Sequence, residues 1–159
     1  MFISADFVFF FAFGIGVVAG LRSLTAPAAV SWAAFLGWLN LLGSPLAFMG
    51  SIVTVALSSL LALGELGADL SPRIPRRTAP GPLVGRLLMG GLCGACLCAS
   101  AGQSLSVGAL LGATGSLIGA FAGYEIRKRL VAGWNVRDVF VALTEDAIAI
   151  GLACFLVTR

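Results

Sequence analysis

Six apolar runs, each close to the length a helix needs to cross a bilayer, account for most of this chain. They lie at about residues 7–21, 24–42, 46–70, 82–101, 106–124 and 139–157. A crossing helix needs roughly 17–25 mostly apolar residues, so each run except the first meets the length on its own. The first does so if it begins near Phe2. No positive charge precedes this run and no small-x-small cleavage pattern follows it, which reads as a retained helix. Composition agrees: 59% of the residues are hydrophobic and 11% charged, with a mean hydropathy of +1.04. Soluble domains carry about 25% charged residues. The expected fold is an all-α polytopic transmembrane bundle of about six helices, forming one integral membrane domain over residues 1–159.

The joints are legible. Pro27 suits the first turn of a second helix, where its missing N–H costs nothing. Gly43-Ser44-Pro45 precedes the third run, Ser71-Pro72-Arg73-Ile74-Pro75 follows it, and Gly133-Trp134-Asn135 separates the fifth from the sixth. With six crossings, one side of the membrane receives Arg22, then Arg73, Arg76 and Arg77, then Arg127, Lys128, Arg129 and Arg137. The opposite loops at 40–45 and 102–105 carry no charge. The positive-inside rule then puts the basic loops in the cytoplasm and both termini outside, in a bacterial inner membrane. A re-entrant second run would set the Arg73–Arg77 cluster on the side opposite Arg22 and break this segregation. Three helices followed by three also point to an inverted repeat, with a faint echo between Ala62-Leu63-Gly64-Glu65 and Ala142-Leu143-Thr144-Glu145. The net charge of +3 is distributed as topology signals and gives no nucleic-acid surface.

Gly108, Gly112, Gly115, Gly119 and Gly123 make one flat stripe on the fifth run, and Gly90, Gly94, Gly16 and Gly20 repeat the motif. Small residues let membrane helices approach closely, since lipid leaves no hydrophobic force between them. The stripe serves either packing within one chain or a homodimer. Cys93, Cys96 and Cys98 are close in sequence, but the chain has no histidine. They read as small apolar residues, with no metal or cofactor expected.

Ionisable groups within membrane helices cost about 2.5–3.5 kcal/mol each on insertion scales, and so face partners or water-filled cavities. Glu65 and Asp69 share a face of the third helix, four residues apart. Glu145 and Asp146 lie about two turns into the sixth. Glu125 closes the fifth, with Arg129 one turn on. Arg22 ends the first helix and Arg86 lies in the first turns of the fourth, placed to answer the acids. One reading is a cytoplasm-facing cavity whose carboxylates hold a cation or pass protons. The other is a set of structural ion pairs that fix helix register. Arg22 with Thr25, and Arg77 with Thr78, each stand just before a helix start, where free N–H groups and a partial positive charge can hold a phosphate, carboxylate or headgroup. The same threonines also suit plain N-capping.

The stretches Gly20-Leu21-Arg22-Ser23-Leu24-Thr25-Ala26-Pro27, Glu65-Leu66-Gly67-Ala68-Asp69, Arg77-Thr78-Ala79-Pro80, Gly119-Ala120-Phe121-Ala122-Gly123-Tyr124 and Glu145-Asp146 with Ala149-Ile150 resemble the bacterial membrane family called domain of unknown function 4126 (DUF4126). The resemblance covers nearly the whole chain and implies a small polytopic inner-membrane protein without supplying an activity. It departs at Leu70, where a basic residue is expected of the family. The functional expectation is a transporter or channel-like protein for a cation or proton-coupled solute. A non-transporting scaffold is the alternative. An enzyme is not expected, because no nucleophile or ligand set stands out.

Overall fold

A computed structural model of the chain describes residues 5–68, 80–134 and 138–158, with side-chain detail over 7–67, 80–129 and 143–158. Those residues are mainly helical, with no strand among them. They comprise α1 (Ala5–Leu21), α2 (Thr25–Phe35), a 3₁₀ turn at Ala47–Gly50, α3 (Ile52–Ala68), α4 (Pro80–Ser100), α5 (Leu105–Trp134) and α6 (Asp138–Thr158). Pro80–Ser100 and Leu105–Arg129 are long and apolar enough to cross a membrane, fewer among the described residues than the six runs predict. Phe7–Leu21 and Ile52–Gly67 are shorter apolar helices.

The second run departs most from expectation. It holds 11 helical residues, about 16 Å at 1.5 Å per residue, in place of a helix over 24–42. Gly37 ends it. At φ +78° this glycine adopts a left-handed conformation that costs other residues about 1–2 kcal/mol. Its N–H donates to Ala34 O at 3.2 Å and that of Trp38 to Ala33 O at 2.9 Å, a Schellman closure of the helix. The chain then turns through Gly43 (φ +83°). It tucks Leu39, Leu41 and Met49 into the core and leaves Trp38, Leu42 and Phe48 outside. Ser51 restarts the helix, its Oγ accepting from Thr54 N at 3.2 Å. Hydropathy saw one span here because every residue from 36 to 42 except Gly37 and Asn40 is Leu or Trp.

The fifth helix departs in the other direction. It has 30 residues, about 45 Å, and runs through the basic Arg127-Lys128-Arg129 stretch to Trp134, where a loop after Tyr124 is expected. Tyr-Glu-Ile-Arg-Lys-Arg-Leu-Val-Ala holds several good helix formers and no proline or glycine. Glu125 and Arg129 also form an i,i+4 pair at 3.0 Å.

Three helices are packed backbone to backbone. A methyl group added at Gly16, Gly20, Gly90, Gly94, Gly108, Gly112, Gly115 or Gly119 would fall within 3.0 Å of a carbonyl oxygen on the facing helix. Gly16 and Gly20 meet Gly112 and Ser116 in the same order, so α1 and α5 run parallel. Gly90 and Gly94 meet Gly112 and Gly108 in reverse order, so α4 and α5 run antiparallel. The α5 stripe is therefore covered by α1 and α4 of its own chain. A homodimer through Gly108, Gly112, Gly115, Gly119 and Gly123 would need a surface that this packing already uses. The remaining core joins Ile15, Val18 and Ala19 of α1 to Val30 and Ala33 of α2, Cys93 and Cys96 of α4, and Ala149, Ala153 and Leu156 of α6.

Helix directions gather the charge. α2 and α3 are antiparallel: Ser31 meets Ser58 at 2.8 Å, while Leu24 before α2 meets Glu65 near the end of α3. α6 runs against α1, with Leu156 beside Gly14 and Asp146 beside Arg22. As a result Arg22, Glu65, Arg86, Glu125, Arg127, Lys128, Glu145 and Asp146 all lie at one end of the bundle. The bends at 36–46 and 101–104 lie at the other and hold no charged residue. The expected inverted repeat would match α2 to α5, but these have 11 and 30 residues. Elsewhere the outer surface is apolar, with Phe10, Leu60, Leu88, Leu110, Ile118 and Phe155 exposed on α1, α3, α4, α5 and α6.

Candidate functional site

The α1–α2 junction is where the charged groups converge. A helix C-terminus leaves carbonyls without intrahelical partners and carries a partial negative charge. Arg86, buried at the start of α4, answers both: its Nη1 donates to Gly20 O and, at 2.9 Å, to Leu21 O. The N-terminus of α2 has the opposite need. Leu24 at the cap position offers no side-chain acceptor. Glu65 reaches across from α3 instead, accepting from Leu24 N at 2.9 Å, Ser23 N at 3.0 Å and Ser23 Oγ at 2.7 Å. The anion position expected before Thr25 is thus filled by the chain's own carboxylate. Thr25 itself is buried in the first turn of α2. Between these two contacts Arg22, 1% exposed, pairs with Asp146 of α6.

Glu145, next along α6, has a different setting. It lines a cavity of about 180 Å³ with Leu21 from α1, Gly123, Ile126 and Arg127 from α5, and Thr144 and Ile148 from α6. The cavity lies between the end of α1, α5 and α6. Gly123 keeps it open: a Cβ there would stand 2.7 Å from Leu21 Cδ2 and 3.3 Å from Glu145 Oε1. Arg127 Nη1 lies 4.0 Å from Glu145 Oε2, with both side chains mostly buried. That is longer than a hydrogen bond but within strong electrostatic reach at low dielectric.

The structure therefore brings Glu65, Asp146 and Arg22 to one junction and sets Glu145 beside it. Glu125 stands apart, its side chain 47% exposed and bonded to Arg129. Asp69, Arg77 and Thr78 lie outside the described residues. Two residues at the cavity, Arg127 and Thr144, have no role as binding groups in the sequence reading. Arg127 reads there as a loop charge that sets topology. The helix-forming run after Tyr124 and the Glu125–Arg129 spacing were the signals that it sits on a continued helix. Cys93, Cys96 and Cys98 are buried, Cys154 is exposed, and all four are free thiols. Among the described residues no three His, Cys, Asp or Glu side chains are grouped to hold a metal ion. Compared with known proteins, the chain matches no family model, no curated protein and no solved structure.

Proposed function

We propose that this chain is a multi-pass membrane protein that binds a small cationic or proton-coupled solute at Glu145 and carries it across the bilayer. The observation behind this reading is the setting of Glu145. Among the described acids at the charged end, Glu65 serves as a cap, Asp146 pairs with Arg22 and Glu125 pairs at the surface. Glu145, paired with Arg127 at 4.0 Å, also lines a cavity large enough for a solute.

The membrane reading draws on three features. Large apolar side chains cover the outside of five helices, more than a soluble monomer exposes. The parallel α1 and α5, with α4 and α6 reversed, have the alternation that six traversals require. Charge gathers at one end, which the positive-inside rule assigns to the cytoplasm, with both termini outside. The resemblance to domain of unknown function 4126 favours the same location.

A second reading, a non-transporting scaffold, draws on the closed contacts of Arg22, Arg86, Glu65 and Asp146, which fix helix positions. Proteoliposome flux separates the two. Wild-type protein is expected to move a small amine-bearing solute or protons across the vesicle membrane. Glu145→Gln is expected to elute as the same species and lose at least tenfold in flux. Absence of flux in wild type, with Glu145→Gln lowering thermal stability, supports the scaffold.

A further inference from the structure

The cavity's exposed lining is almost wholly apolar, but residues of both signs of charge, Glu145 and Arg127, stand at its wall, and that constrains what it can take. Glu145 alone would favour any cation. Arg127, 4.0 Å away, repels a bare cation and would lose its acidic neighbour to it. A buried charge left without compensation is costly, whereas a ligand that brings both signs restores two ion pairs and adds no net charge to the membrane interior. The other walls are mainly apolar, Leu21, Ile126 and Ile148, with Thr144 beside Glu145. The volume of about 180 Å³ is comparable with cavities of about 150 Å³ that take a benzene-sized molecule.

We infer that the Glu145 cavity binds a zwitterion with an aliphatic body, its ammonium on Glu145, its anionic group on Arg127 and its carbon chain against Leu21, Ile126 and Ile148. Both charged residues make other contacts in the bundle, so the ligand competes for them and inserts between them. This assignment rests on the reading of Glu145 as a solute site and narrows its substrate. The chemistry has two sources: a free amphiphilic zwitterion such as an aliphatic amino acid, or the headgroup of an aminophospholipid entering between α5 and α6.

Calorimetric titration of the full chain in phosphatidylglycerol nanodiscs tests it with three matched probes: leucine, isoamylamine, which lacks the carboxylate, and 4-methylpentanoate, which lacks the amine. Leucine is expected to bind at least tenfold more tightly than either, and Glu145→Gln or Arg127→Gln to remove that preference. Ile148→Trp, which fills the cavity from an exposed wall and leaves both charges in place, is expected to weaken leucine at least tenfold. It keeps the test decisive if a charge variant misfolds. If phosphatidylethanolamine raises the unfolding temperature in nanodiscs, Arg127→Gln and Ile148→Trp abolish that rise and leucine does not bind, the zwitterion is the lipid headgroup. Isoamylamine binding as tightly as leucine, with Arg127→Gln without effect, overturns the zwitterion and leaves the cationic-solute reading standing. No binding by any probe or lipid, with the variants indistinguishable from wild type, overturns both.

Discussion

Arg22 and Asp146 form a buried pair that joins the end of α1 to α6, with the arginine 1% exposed. Removing one member of such a pair strands the other, which typically costs about 3–5 kcal/mol, whereas replacing both by apolar groups of similar size is often neutral. Arg22→Met and Asp146→Leu alone are therefore expected each to lower stability by about 3–5 kcal/mol, and the double variant to recover most of that loss. Chemical unfolding in detergent checks this, and a double variant as damaged as the singles would show that the charges do more than balance each other. Both residues stand out in the sequence as ionisable groups in apolar surroundings. Their pairing does not, because nothing local in α1 or α6 says that these helices touch.

At the level of elements, α2 carries the main lesson. Its hydropathy continues to Leu42, but helix propagation stops at Gly37, where φ is +78°. The Schellman hydrogen bonds outweigh the apolar continuity that suggests a longer helix. Gly37→Ala is expected to destabilise by about 1 kcal/mol, since alanine is strained in the left-handed region. Gly64→Ala is expected to have the opposite sign and stabilise by about 0.5–1 kcal/mol. Gly64 sits within α3 and a Cβ there meets nothing within 4 Å. Unfolding midpoints of the two variants, measured side by side, should move in opposite directions; a shift of the same sign would refute the assigned end of α2. α5 shows the converse error, in which a basic stretch reads as a loop although its residues are helix formers.

On the scale of the whole molecule, most of the charge on the described helices gathers at one end of the bundle. If the charged end faces the cytoplasm, Gln103 and Lys128 lie on opposite sides of the membrane. In a Cys154→Ala background, a cysteine at 103 is expected to react with a membrane-impermeant maleimide in intact cells, and one at 128 only after permeabilisation. Cys93, Cys96 and Cys98 are buried and should stay unlabelled in both. Labelling of both introduced cysteines from one side would rule out the alternating path.

Composition and the spacing of apolar runs were enough to determine a helical chain and the glycine faces along which helices approach, but not the ends of α2 and α5. These properties are local: hydropathy, propensity and glycine spacing act over a turn or two of backbone. Which helix fills each glycine face, which acid meets which arginine, and where a cavity opens depend on contacts between residues far apart in sequence. Glu65 and Glu145 look alike in the sequence, each an acid in an apolar helix with the same Ala-Leu-x-Glu context. Packing made one the cap of α2, because α3 lies antiparallel to that helix and delivers the carboxylate to its free N–H groups. It left the other beside a cavity, where Gly123 of α5 has no side chain to fill the gap.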